Sequence, residues 1–471
     1  MIQYKQIRLI QGLNRITAPQ LTEEGQCIDS QNVSFTQRLG AAVRGKGYTQ
    51  IGAQMAAANI NALGNFVRGG SSAGTFERWA NCGTTLYKYN TGTSAWDAST
   101  GAGTSLTNTA GNFAYMPELD LLFYANLSDA TRSYNGTAWS TSTSVTGAPK
   151  ARYIAVDDVY LYLGDCDVGG TRYPTRIYRS SNGGAGALTY DTTNDYDVYP
   201  EPITGFSRVG ETLLAATRHH VFRQDPYQRT MIAQIGVPSQ RAFTSFGAYA
   251  FMANSSGVYA TRGGDPELIS SAVQDYFDAL TTETQILLAA NDGFVYCYLG
   301  DVTIDNETFT DLVLAYDTSK NVWERHQTAV DAQVMTTLYD ANGLPVTYFG
   351  DDNGEVFTLF NGATQDGTGY SSFFETQPIY LTDGLVDLHS VDVWGKNMSG
   401  IDILYRTSSA DDYTAIGSLS GDMASVQFRG QGVFVQFKFV GTGSQRDWEI
   451  HRYTIGYEQL EGDYPRDVNL N

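Results

Sequence analysis

Lysine, proline, cysteine and long apolar runs are all scarce in this chain, and each shortage removes a class of protein. Among 471 residues there are 7 Lys, 12 Pro and 4 Cys. The cysteines, Cys27, Cys82, Cys166 and Cys297, lie far apart and form no CxxC or Cys/His set, so they read as small buried residues and not as disulfides or metal ligands. Of the five histidines only His219 and His220 are adjacent, which is not the i, i+4 spacing of a helical metal site. No stretch of about 18 apolar residues occurs, which predicts no membrane helix and no membrane insertion. The opening MIQYKQIRLIQGLNR has no uninterrupted apolar core of the signal-peptide kind, so synthesis and folding in a cytoplasm are expected. Basic residues are the minority, 30 against 50 acidic, for a formal charge of −20. Gripping phosphates requires clustered Lys and Arg, so specific nucleic-acid binding is not expected, although transient contact with passing DNA is compatible.

What is abundant points to strands. Apolar residues make up 42% and charged residues only 17%, which excludes a disordered acidic tail. The 31 Tyr, 22 Phe and 49 Gly suit short strands joined by tight turns, and the chain reads as all-β. Its cations are mostly Arg, 23 of 30, the cation enriched at protein interfaces, as in an assembly subunit. Strand-then-turn units recur with markers at Tyr87, Tyr134, Tyr178, Phe222, Tyr259, Tyr316 and Phe357, at gaps of 47, 44, 44, 37, 57 and 41. Such a period predicts a β-propeller of five to seven blades. The long gap holds Gly300-Asp301 to Thr310-Asp311, and Asp305-Asn306 there reads as the turn of an inserted hairpin. Three units end in Tyr-to-Trp hairpins: Tyr89 to Trp96, Tyr134 to Trp139 and Tyr316 to Trp323. They look like the kelch strand pair without its upstream paired glycines.

The one helix expected runs from Ile269 to Thr281, with Val273, Tyr276, Phe277 and Leu280 on one face. A Gly/Thr/Asp/Ser loop after Asn361-Gly362 reads as a boundary. Beyond it strands such as Val433 to Phe439 alternate strictly, which predicts a small β-sandwich. The expected domains are an extended N-terminal arm over 1–54, a β-propeller over 55–365 and a C-terminal sandwich over 366–471.

Several patterns come near to chemistry. Gly40 to Lys46 matches a P-loop through its lysine, but Gly47 stands where Ser or Thr should hold magnesium and no helix follows. Gly70-Ser71-Ser72-Ala73-Gly74 matches a nucleophile elbow, which needs a helix after it, whereas TFERWANCG reads as a strand. Asp191, Asn194, Asp195 and Asp197 could hold calcium but lack the fixed glycine and distal glutamate of an EF-hand loop. Asp351, Asp352 and Glu355 flank the hairpin turn Asn353-Gly354. Propeller glycosidases gather carboxylates at the channel mouth. Asp157, Asp158, Asp265 and Asp292 are the candidates for that role, and they are not expected to converge. The reading assigns no catalytic, cofactor-binding or metal-binding residue, no cofactor, and no enzymatic activity.

The N-terminal arm is the most specific feature. Gly12-Leu13-Asn14, then Gln20 to Ile28, Asp29-SQNVSF-Thr36 and Leu39-GAAVRGKGY-Tyr48, resemble an opening common in phage tail proteins: Gly-Leu/Ile-Asn, an acidic Gly turn, an x-x-Asn-Val strand and an Arg-x-x-Gly-Tyr/Phe strand. With a propeller, a late PELISSAVQDYF helix and a C-terminal sandwich following, the chain resembles the tail nozzle or hub, also called the packaged-DNA stabilisation protein, of short-tailed bacteriophages. The resemblance implies a structural virion protein made in the host cytoplasm. It implies a homo-oligomeric ring, six subunits in the family, that closes the DNA channel, docks on a tail adaptor and meets tail fibres or spikes. The alternatives are a carbohydrate-binding propeller adhesin and a propeller glycosidase.

Overall fold

The structure is a computed structural model and describes all residues except 9–11, 16, 69–74, 101–103, 141–144, 183–187, 227, 444–446 and 461–471. It is an all-β β-propeller, with 57% of residues in strands and 4% in helix. Seven four-stranded antiparallel sheets follow in chain order. The seven markers fall one by one in the third strand of successive sheets, from Tyr87 in Thr85–Asn90 to Phe357 in Val356–Leu359. The period is therefore one blade, and the blade count is seven. The innermost strands pack in a ring that closes where Ala332–Tyr339 of the seventh blade meets Ile60–Arg68 of the first.

The Tyr-to-Trp hairpins join third to fourth strands. Tyr89 faces Trp96, Tyr134 faces Trp139 and Tyr316 faces Trp323 as register partners, with ring centroids 5.2, 5.4 and 4.8 Å apart. Such cross-strand aromatic pairs stabilise a sheet beyond their buried area. The inserted hairpin is present in the sixth blade. Phe294–Ile304 pairs with Glu307–Asp317, and Asp305 and Asn306 turn at φ 51° and 69°, the left-handed pair of a two-residue hairpin.

The helix is shorter than expected. A 3₁₀ turn at Ser271–Val273 leads into an α-helix of only five residues, Gln274–Asp278. The Ser270 hydroxyl makes no capping bond and accepts from the Val258 N–H at 3.0 Å. Val273, Tyr276 and Phe277 are buried as the apolar face required.

Two six-stranded sheets lie outside the propeller, and both contain strands from each end of the chain. In one, Val33–Ser34 and Ala42–Arg44 continue through Glu449–Gln459, Val386–Lys396 and Met423–Gly432, with Gln3–Arg8 also on Glu449–Gln459. In the other, Cys27–Gln31 leads through Ser372–Thr376, Phe434–Gly441 and Ile401–Arg406 to Thr414–Ser418. Phe437 and Phe439 meet Tyr453 across the layers at 5.9 and 5.5 Å. The N-terminal arm thus forms no unit of its own. Its last strand, Tyr48–Gln50, is the outermost strand of the seventh blade, paired with Val356–Leu359. The 361–371 connection runs beside it, with Asp366 N–H donating to Tyr48 O and Asn361 N–H to Gly47 O.

The motif residues of the arm explain this path. Asn32 is left-handed (φ 54°), and its N–H donates to Arg325 O at 2.9 Å. Its Oδ1 accepts from Gln327 N–H at 2.9 Å and its Nδ2 donates to Ser371 O at 2.9 Å, which ties the edge of the sixth blade to the interdomain connection. Arg44, 2% exposed, donates to Gly443 O and stacks 4.3 Å over Tyr370. Asp29 is shared by Arg15 at 3.2 Å and Arg325 at 3.1 Å. Burial pushes the Asp29 carboxyl above its ordinary range while both arginines oppose that shift.

Gly47 has no room for a side chain: a Cβ there would lie 1.9 Å from Thr364 O, a backbone atom. Gly47→Ala should therefore push Tyr48–Gln50 off the seventh blade and lower stability by about 1–3 kcal/mol, the usual cost of overpacking. Gly264, whose Cβ would meet open space, is the control, and Gly264→Ala should leave the denaturant midpoint unchanged. Equal midpoints for both variants would contradict this mode of ring closure.

Candidate functional site at the channel mouth

The blade-to-blade connections and the turns between second and third strands share one face of a propeller, and on that face they gather a polar site. The 3₁₀ turn Gln240–Ala242 precedes the inner strand of the fifth blade. It sends Arg241 across the channel, where Nη2 donates to Asn61 O in the first blade at 3.3 Å. Gln240 pairs with the fourth blade, Oε1 accepting from Phe206 N–H and Nε2 donating to Phe206 O, each at 2.7 Å. The two side chains line a cavity of about 150 Å³ within the channel. That is room for a few waters and not for a nucleic-acid strand, so a single propeller is plugged along its own axis.

Above the plug opens a mouth of about 570 Å³ lined by Arg241, Gln285, Tyr298, Asp301, Asp311 and Asp331. The bulges at Tyr298/Gly300 and Gly300/Val302 shift the register at the base of the inserted hairpin, a device that re-aims side chains at a sheet rim. The Tyr298 hydroxyl lies 3.1 Å from Asp311 Oδ1 and 3.4 Å from Asp331 Oδ1, and it accepts the Ala332 N–H at 3.2 Å. A phenol has one proton, so it serves one of these carboxylates at a time. Asp301 Oδ1 accepts the Asp311 N–H at 3.0 Å. Burial raises the Asp311 carboxyl, the Tyr298 hydrogen bond opposes this, and Asp301 and Asp331 add like charge. Burial likewise raises Asp331, with Asp352 and Asp301 contributing. Burial pushes the half-buried Arg241 guanidinium down. The arrangement is two acids that share one phenol donor beside a cation, without an activated Ser, Cys or Lys nucleophile among the described residues.

The carboxylates singled out from sequence are elsewhere. Asp157 and Asp158 sit between first and second strands of the third blade, Asp292 in the same turn of the sixth, and Asp265 between third and fourth strands of the fifth. In an up-and-down blade these turns lie on the face opposite the mouth. Asp157 caps Val159 and Tyr160 N–H groups at 2.9 and 2.7 Å, and Asp158 pairs with Arg208. Asp301 and Asp311 were visible only as the flanks of the inserted hairpin, and Asp331 gave no signal at all.

The remaining patterns have local explanations. In the P-loop-like segment, strand Ala42–Arg44 is followed by strand Tyr48–Gln50, so no helix N-terminus faces a phosphate. Asp191 accepts from the Thr193 and Asn194 N–H groups, Asp195 pairs with Arg179 at 2.6 Å, and Asp197 accepts from Gln224 at 2.7 Å. Asp351 accepts from the Asn353 and Glu355 N–H groups at 3.0 and 2.7 Å, closing its hairpin. The Gly70–Gly74 pattern lies outside the described residues. All four cysteines are free and buried. Among the described residues no group of three or more His, Cys, Asp or Glu is placed to hold a metal, and no helix is long and apolar enough to cross a membrane.

No protein-family model matches the chain, and no curated protein does. Solved structures align with the chain at low identity. U3-55K aligns at 8% identity with a TM-score of 0.45, over 67% of this chain and 98% of that one. YCF48 bound to a D1 peptide aligns at 11% and 0.37, over 66% and 96%. The extracellular domain of the putative hybrid two component system BT4673 from B. thetaiotaomicron aligns at 12% and 0.42, over 72% and 45%. At these identities the likeness concerns the fold alone.

The paired acids make a pH prediction. A raised carboxyl favours the protonated form in the folded state, so its contribution is present below the ordinary carboxylate pKa and is lost as pH rises through the raised value. Asp331→Asn removes one of the charges. It should stabilise the protein by about 0.5–1 kcal/mol at about pH 7, the scale of a partly screened charge interaction, and by much less at about pH 4. Thermal melts at the two pH values check this; a loss of stability at the higher pH would contradict it.

Proposed function

We propose that this chain is a structural subunit of the tail nozzle of a short-tailed bacteriophage, and not an enzyme. The observation that carries the reading is the N-terminal arm: among the residues that resemble the opening of that family, Gly12, Asn32 and Tyr48 lie against the sixth and seventh blades, and Arg44 lies against Gly443 of the sandwich and Tyr370 of the connection. Gly12 (φ 58°) lies against Val322, and Asn14 Nδ2 donates to Gln26 at 3.1 Å. A motif that encodes a mechanical joint suits a load-bearing part. The plugged propeller axis fits as well, since DNA leaving a tail would run between subunits and not through any one of them.

Charge supports a ring built head to tail. Residues 150–233, the third and fourth blades, carry 9 Lys plus Arg against 10 Asp plus Glu, a net of −1. Residues 287–359, the sixth and seventh, carry 2 against 12, a net of −10. In a seven-bladed ring these arcs lie nearly across from one another. The first also exposes interface-type groups: Met231 at 49%, Val198 at 47%, and Arg176 held 3.9 and 4.1 Å over Tyr173 and Tyr196. A heterologous contact joins two such unlike patches, and closure gives a ring. Six copies would carry about −120 formal charges, six times −20, and an acidic lumen lets a duplex slide while a constriction retains it. In this reading the ring docks on a tail adaptor and presents fibres or spikes, in the virion, without cofactor or catalysis.

Native mass spectrometry of the purified protein, alone and with its tail neighbours, should give closed rings. Arg176→Glu on one arc or Asp352→Lys on the other should each block ring growth and leave the monomer folded. In a mobility-shift titration at about 50 mM salt the ring should bind duplex DNA weaker than about 1 μM. Monomers alone in purified virions, or tight and steeply salt-dependent DNA binding, would contradict the proposal.

A further inference from the structure

Among the described residues, the wall of the axial cavity of about 150 Å³ contributes one cation, Arg241, and no acid. The rest of that wall is apolar or neutral and comes mainly from the inner strands of the blades. The fold holds the guanidinium in place from two sides. Gln240 is tied to the backbone of Phe206 in the fourth blade. Asn61, whose carbonyl accepts from Arg241 Nη2 at 3.3 Å, is the extra residue of the bulge between Ile60 and Ala62. Such a residue stays out of the ladder, so its carbonyl is free for another donor. A guanidinium carries five N–H donors, and the bond to Asn61 is the one hydrogen bond that the Arg241 side chain makes among the described residues.

Elsewhere in the protein a guanidinium packed inside has a counterpart: Arg15 and Arg325 share Asp29, Arg179 holds Asp195, and Arg44 stacks on Tyr370. Arg241 has none. Burial pushes its pKa down, and the group that opposes this is the Tyr153 phenol, not a carboxylate. Asp301, Asp311 and Asp331 line the mouth above and are absent from the wall of the axial cavity. A charge drawn partly out of water without a partner is costly. A cationic guest would be repelled, and a neutral one would leave the charge uncompensated. A dianion would bring one charge more than the cavity offsets. We propose that the axial cavity binds one small monovalent anion, of the size of chloride or nitrate, on Arg241. With a water occupying about 30 Å³, the cavity takes such an ion and a few waters. The mouth shares Arg241 with the cavity and is the ion's way in.

Two measurements on the full-length protein test this. Thermal melts compare sodium nitrate with sodium gluconate at equal ionic strength, gluconate being too bulky for the cavity. The midpoint should rise saturably between about 1 and 100 mM nitrate, as linkage to a site of millimolar affinity requires, and should not do so in gluconate. Arg241→Gln should abolish the nitrate-specific rise. Arg241→Lys, which keeps the charge and loses the planar fork, should weaken the apparent affinity about tenfold, the equivalent of one hydrogen bond. Crystals of the unaltered protein grown in sodium bromide decide the matter should these variants fail to fold, and they should show an anomalous peak beside the Arg241 guanidinium. Water alone in the cavity of those crystals, equal melting curves in the two salts, or a nitrate response that survives Arg241→Gln would overturn the proposal.

Discussion

Everything in this molecule hangs on where its first fifty residues go. A propeller needs its last blade joined to its first, or the ring can open at one seam. Here the seam is held because Tyr48–Gln50 completes the blade whose other three strands come from residues 332–359. The Tyr48 ring packs 5.5 and 5.4 Å from Phe349 and Phe357, so closure is apolar as well as hydrogen-bonded. Before reaching that point the same segment has laid strands into both sheets of the sandwich. Closing so long a loop costs entropy only logarithmically in its length, whereas each strand added buries a ladder of hydrogen bonds and side chains.

The arm also solves the problem of a free sheet edge. The outermost strand of the sixth blade would present unpaired backbone groups to other chains. Leu13 and Asn32 N–H groups take the Trp323 and Arg325 carbonyls instead. Beneath this cover the alternation of Val322–Gln327 sorts its side chains. Trp323 and Arg325 share one face, with Arg325 4.5 Å over Phe309 of the inserted hairpin and paired with Asp29 of the arm, and Glu324 and His326 share the other, where Glu324 meets Ser34 and Thr36. Burying Arg325 and Asp29 costs solvation, which their mutual pairing and Arg15 offset; removing one partner would leave an uncompensated charge. The inserted hairpin, the short helix carrying Tyr276 and the N-terminal arm therefore form one apolar cluster with the sandwich core. Propeller and sandwich share an interior.

Legibility in the sequence followed the range of the interaction. The blades could be read because each is local: a Tyr or Phe marker in a third strand, a Tyr–Trp pair across one turn, an Asp-Asn turn closing one hairpin. The helix was overextended because its apolar face is real but Ser270 spends its hydroxyl on Val258 in a neighbouring strand. The N-terminal arm was visible as a motif while its partners, Arg325, Tyr370 and Thr364, lie some 300 residues away and leave no local trace. For the same reason the channel mouth was missed. Its acids come from an inserted hairpin and a blade-to-blade connection, brought together only by the closed ring, and period counting is blind to which face of a blade a turn occupies.

If the arm makes propeller and sandwich one body, the two must open together. Native-state hydrogen exchange in increasing denaturant measures this directly. Amides of Val356–Leu359 in the seventh blade and of Glu449–Gln459 in the sandwich should reach the same limiting free energy of exchange and lose protection in a single step. Sandwich amides that exchange at a markedly lower free energy while the blade stays protected would contradict the account.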